Sequence, residues 1–130
     1  MFLHLMNDAQ KQEFLKLGRR MIAANEVSLD LEKAYLYRLL REAGIRAHER
    51  TAERDAVADS AVFDSRRARV AAAVELLVIA LLDGEFDAGE QAVADDVMAQ
   101  FEIDPADRAD VRAAADHLVT AMRVVTKMVA

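Results

Sequence analysis

Four carboxylates crowd one short stretch, Leu82-Asp83-Gly84-Glu85-Phe86-Asp87-Ala88-Gly89-Glu90: Asp83, Glu85, Asp87 and Glu90. Carboxylate oxygens are hard donors, so a turn that gathers them suits a hard divalent cation, Ca²⁺, Mg²⁺ or Mn²⁺. The same residues also satisfy ordinary turn chemistry without a metal. Asp83 can accept N–H groups of the residues that follow it, and Asp87 with Glu90 three positions on makes a capping box. Both readings stand on the sequence. An EF-hand does not, because its glycine position would fall on Ala88 and its closing glutamate on Ala94.

Glu75 is the other conspicuous acid, alone within the apolar run Val70–Leu82. A carboxylate buried without a partner is costly, so an ion pair with Arg38, Arg41, Arg66 or Arg67 is expected. The rival role is the base of a metal-dependent hydrolase built on the same carboxylates. The histidines His4, His48 and His117 are scattered; His48-Glu49 opens like a zinc-protease motif, but Ala52 stands where its second histidine belongs. There is no phosphate loop, dinucleotide fingerprint or Gly-x-Ser-x-Gly elbow, so no catalytic residue and no organic cofactor is assigned.

Composition narrows the class further. The chain has 130 residues, 54% hydrophobic and 31% charged, with no cysteine. It is long enough for one core-forming domain and excludes disulfides and zinc–thiolate sites. Seventeen basic against 23 acidic residues give a net charge of −6, which argues against nucleic acid as a partner. The acidity is local: between Val70 and Asp107 there are ten acids and no Lys or Arg. Such a tract attracts cations or a basic protein surface. The apolar run is too short to span a membrane, and Met1–Met6 lacks the charged start of a signal peptide, so a cytoplasmic protein without membrane insertion is expected.

The elements that hold these residues read as helices throughout. Asn7 or Asp8 caps a first helix with Phe14, Leu15, Gly18, Met21 and Ile22 inward. After a break at Asn25–Ser28, a second helix turns Leu31, Tyr35, Leu36, Leu39, Leu40 and Ala43 inward and ends at Gly44-Ile45. Residues 46–63, with Arg46, Arg50 and Arg54 in a row, are expected to be helical. Asp64 or Ser65 then caps the apolar helix, which must be the central one. Asp87 opens another, with Val93, Val97, Met98 and Phe101 inward, and Asp104-Pro105 opens the last. In that helix Val111, Ala115, Leu118, Met122, Val125 and Val129 form a seam, which either packs inside the monomer or pairs two copies in a homodimer.

The halves of the chain also repeat. Residues 14–45 reappear 58 positions on as Ala72–Ile103, so that Asn25 aligns with Asp83, Glu32 with Glu90 and Ile45 with Ile103. The expected architecture is all-α: one domain over 1–130, a compact bundle of about six to seven helices. Its pseudo-repeats are hairpins at about 8–45 and 65–103, followed by a C-terminal helix at about 105–130.

Glu75-Leu76-Leu77, the apolar run, Asp83-Gly84, Phe86 and Glu90 resemble the TerB-like domain family named for tellurite resistance. Phe14-Leu15, Ala23-Ala24-Asn25, Glu32 and Ala43-Gly44-Ile45 resemble that family's other repeat. The resemblance covers about residues 2–105. It implies a compact helical, non-enzymatic protein associated with tellurite or other stress, with relatives fused to co-chaperone modules. It further implies metal ligation by the paired Asp and Glu, here Asp83 and Glu90. Asn25-Glu26 stands where the first repeat would carry Asp-Gly, which implies a lost or weakened first site. A metal-free co-chaperone-like adaptor with a protein partner is the further alternative.

Overall fold

The computed structural model describes residues 2–24, 30–44, 58–82 and 86–130. Among them are five α-helices and two short 3-10 turns and no strand, fewer helices than the six to seven expected. The row Arg46, Arg50 and Arg54 lies outside the described residues. The described end of the expected 46–63 helix is a 3-10 turn at Ser60–Val62, capped by Asp59, whose side chain accepts the Ala61 N–H at 3.1 Å.

Helix α1 spans Asp8–Ala24 and starts from a reciprocal cap. Asn7 Oδ1 accepts the Gln10 N–H at 2.8 Å and Gln10 Oε1 accepts the Asn7 N–H at 2.9 Å. Asn7 is therefore the cap and Asp8 the first helical residue. Phe14, Leu15, Gly18, Met21 and Ile22 are buried as the spacing predicts, joined by Leu17 and Gln10. The buried Gln10 amide donates to Val62 O at 3.0 Å and to Asp64 Oδ1 at 3.2 Å, tying α1 to the middle of the chain.

Helix α2, Asp30–Glu42, buries Tyr35, Leu36, Leu39 and Leu40 and leaves Ala43 half-buried. Gly44 follows at φ 82°, the left-handed conformation expected of a helix-ending glycine. Helix α3, Arg66–Leu81, is the centre of the molecule. Ser65, not Asp64, caps it by accepting the Ala68 N–H at 3.1 Å, because Asp64 is engaged by Gln10. Every residue from Ala71 to Leu81 is buried, and α3 packs against all four other helices and the Leu3–Leu5 turn.

Helix α4, Ala88–Gln100, turns Val93, Val97 and Met98 inward, and Phe101 is buried just beyond it. It ends with Glu102 at φ 56°. Ile103 N–H reaches Met98 O at 3.0 Å and Glu102 N–H reaches Ala99 O at 3.1 Å, a Schellman ending built on a glutamate. Asp104 then caps α5, Pro105–Val129, accepting the Asp107 N–H at 3.0 Å, with the proline in the first turn.

The seam of α5 holds only in its first half. Val111 and Ala115 are buried, Leu118 and Met122 are half-buried, and Val119 takes the next inward place. Val125 and Val129, expected inward, are 55% and 78% exposed. The reason lies in α3: Arg123 donates to Leu81 O at 3.0 Å and Leu82 O at 3.4 Å, so α5 passes the end of α3 there. Among the described residues nothing packs on the turns beyond. No helix among them is long and apolar enough to cross a membrane.

Candidate functional site

Three contacts fix the described residues on either side of the acidic stretch. Arg123 closes the C-terminal carbonyls of α3 just before it. Arg112, on α5, stacks over the Phe86 ring at 4.6 Å from the centroid. Gly89, in the first turn of α4, lies against the end of α1: a Cβ there would stand 2.6 Å from Ala24 O. The absence of a side chain lets the negative pole of α1 meet the positive pole of α4.

The capping box expected at Asp87 and Glu90 is present. Asp87 Oδ1 accepts the Glu90 N–H at 2.8 Å, and Glu90 Oε1 accepts the Asp87 N–H at 3.4 Å. The box accounts for one oxygen of Glu90. Its side chain is wholly buried, and Oε2 meets no N–H donor or cation among the described residues. A buried lone carboxylate oxygen is costly. The carboxyl is accordingly pushed up to about 8, first by burial, with the Asp87 N–H opposing and the charges of Glu32 and Asp87 and a side-chain hydrogen bond with Glu32 adding.

Glu32 completes this arrangement. It comes from the third position of α2, is likewise wholly buried, and lies near enough for its charge to act on Glu90. The two acids are the pair aligned at an offset of 58 in the sequence comparison of the halves, and each lies in the first turn of its helix, α2 and α4. The alignment of Glu32 with Glu90 was the signal for their meeting, but spacing within the 82–90 stretch did not include a residue so distant in sequence. Of the four acids expected in the site, Asp87 and Glu90 are here; Asp83 and Glu85 lie outside the described residues. Among the described residues no group of three or more His, Asp or Glu is arranged to hold a metal. The first-repeat turn at Asn25-Glu26 also lies outside them.

Glu75 is a separate locus. It is 1% exposed, and its Oε1 accepts the Phe2 N–H at 2.6 Å while Oε2 accepts the Tyr35 hydroxyl at 3.1 Å. The Tyr35 phenol is pushed well above its ordinary value, by burial first and then by the Glu75 charge. Of the arginines named as partners for Glu75, Arg66 is engaged with Asp107 at 2.9 Å, and Arg38 lies over the Tyr35 ring and near Glu42. Both Glu75 oxygens thus serve to fix the chain start and α2 to the central helix. His4 and His117 are exposed, and His48 lies outside the described residues.

No protein-family model, no curated protein and no solved structure matches this chain.

Proposed function

We propose that the chain is a binding protein of the TerB-like kind, whose site is the buried Glu32–Glu90 pair with the acidic turn beside it. The ligand is a divalent cation, Ca²⁺, Mg²⁺ or Mn²⁺. The observation that carries this reading is the wholly buried Glu90 carboxyl set against a second wholly buried carboxyl, Glu32, from the other hairpin. A hard cation supplies positive charge and oxygen coordination to the buried Glu90 carboxylate. Asp83, Glu85 and Asp87 are the donors closest in sequence, and the ten-acid tract draws cations toward them.

In this reading the ion is taken up in exchange for the proton that keeps Glu90 neutral, so binding tightens as pH rises toward 8. The role is cytoplasmic and stress- or tellurite-associated, with a basic protein surface recognised beside the ion. Glu75 is a structural acid in this account, because both of its oxygens accept hydrogen bonds within the core. Thermal melts test the proposal. Millimolar Ca²⁺, Mg²⁺ or Mn²⁺ is expected to raise Tm over the chelator-treated protein by several degrees, about what binding at 100 times Kd gives. Asp83→Asn is expected to reduce that gain. Equal melting with each metal and with EDTA would leave a metal-free adaptor instead.

A further inference from the structure

Away from the carboxylates, α5 carries two apolar surfaces that nothing among the described residues covers. The first is concave. The Leu3–Leu5 turn, α3 and the middle of α5 enclose an open groove of about 680 Å³, with Phe2, Leu5 and Val74 on one side and Ala114, His117 and Leu118 on the other. The second is convex. Beyond Arg123, where α5 passes the end of α3, Val124, Val125, Met128 and Val129 are 52%, 55%, 77% and 78% exposed. One stripe of the helix joins the two: Ala114, Leu118, Ala121, Val125 and Met128, at intervals of four, three, four and three. It is distinct from the stripe packed on α3, which runs through Val111, Ala115 and Val119.

We propose that the occupant is a second copy of this chain, its α5 antiparallel to the first, with the protruding tip of each seated in the groove of the other. Position along the helix selects this partner. The α5 residues that line the groove, Ala114, His117 and Leu118, stand seven, four and three positions before Ala121. The tip residues Met128, Val125 and Val124 stand seven, four and three positions after it. A two-fold axis at Ala121 therefore sets each of these three opposite a groove residue, in both directions at once, as a self-complementary contact requires. Met128 meets Ala114, large against small, and the alanine at the axis lets the backbones approach.

Charge fits the same register. The stripe holds no Asp, Glu, Lys or Arg from Ala114 to Met128, so it offers a charged partner nothing to recognise. Arg112 is engaged with Asp116 at 3.2 Å and Arg123 with the end of α3, while Arg66 at the groove's mouth is held by Asp107 at 2.9 Å. Asp110 and Lys127 make no ion pair among the described residues. About the axis at Ala121, Lys127 of one copy comes level with position 115 of the other. That is about 8 Å along the helix from Asp110, within a lysine's reach. Area agrees as well. The four tip side chains expose roughly 450 Å², and the axis covers a tip and a groove on each copy, approaching the roughly 800 Å² per partner of a stable pair.

Sedimentation of the whole chain across the micromolar range is expected to show a monomer–dimer equilibrium. Ala121→Glu, an exposed change to a good helix former, sets two carboxylates face to face at the axis. It is expected to abolish the dimer while circular dichroism stays unchanged. The absence of cysteine makes the register itself measurable. Ala114→Cys and Met128→Cys variants, mixed and mildly oxidised, are expected to cross-link with each other and not each with itself. Asp110→Lys is expected to weaken the dimer severalfold, and adding Lys127→Asp to restore it. A monomer throughout the range overturns the proposal, as does a dimer that Ala121→Glu leaves intact. Cross-linking of Ala114→Cys to its own twin, or no restoration by the charge exchange, contradicts the antiparallel register and overturns it equally.

Discussion

Glu90 shows how one residue can serve two demands that pull apart. Its backbone N–H and one oxygen make a good helix start with Asp87, while its other oxygen is buried beside Glu32, away from any N–H donor or cation among the described residues. Folding therefore favours the protonated acid. With the folded value near 8 and the unfolded value near 4.5, the folded state binds more protons between those pH values. Stability of the metal-free protein is thus greatest below about pH 4.5 as far as this group is concerned, and it declines as pH rises toward 8. Glu90→Gln keeps the shape and removes the ionisation. Urea melts across pH 5–9 are expected to show a flatter profile for the variant, and at the alkaline end a gain on the order of 1–3 kcal/mol over the parent. Parallel profiles for the two proteins would mean that the acid is not held neutral by the fold.

At the scale of elements, the helices and their caps were largely legible because their causes are local. Asn7, Ser65, Asp87 and Asp104 each accept an N–H three residues on, and Gly44 takes the left-handed turn. What was not legible depends on distant chain. Glu75 accepts from Phe2, 73 residues away, so a search for charged neighbours could not find a backbone donor. The outer half of α5 reads as a core seam, yet its neighbour α3 ends at Leu81 and leaves Val125 and Val129 exposed. The carboxylate site was half legible: the 82–90 turn identified Asp87 and Glu90, whereas Glu32 was visible only as their repeat counterpart. The end of α4 hid its strain altogether, because nothing in Gln100-Phe101-Glu102-Ile103 announces a left-handed residue. Glu102, at φ 56°, occupies the position where glycine is preferred. Glu102→Gly is accordingly expected to stabilise the protein by up to about 1 kcal/mol, the relief of a left-handed side chain less the entropy of glycine. A loss of stability on chemical denaturation would show that the Glu102 side chain contributes more than its backbone costs.

For the molecule as a whole, the pseudo-repeat has a physical consequence. The hairpins α1–α2 and α3–α4, each with a glutamate early in its second helix, pack together so that Glu32 and Glu90 meet inside the core. Two acids in one dry place share either a proton or a cation, and in the reading proposed above the acidic tract draws the cation. Isothermal titration of Ca²⁺, Mg²⁺ and Mn²⁺ into chelator-stripped protein measures that exchange most directly, at pH 7 in two buffers of different ionisation enthalpy. The account predicts saturable binding of at least one ion with release of close to one proton, and loss of that proton release in Glu90→Gln. No binding heat at millimolar concentration of any of the three ions, or binding with no proton released, would contradict it.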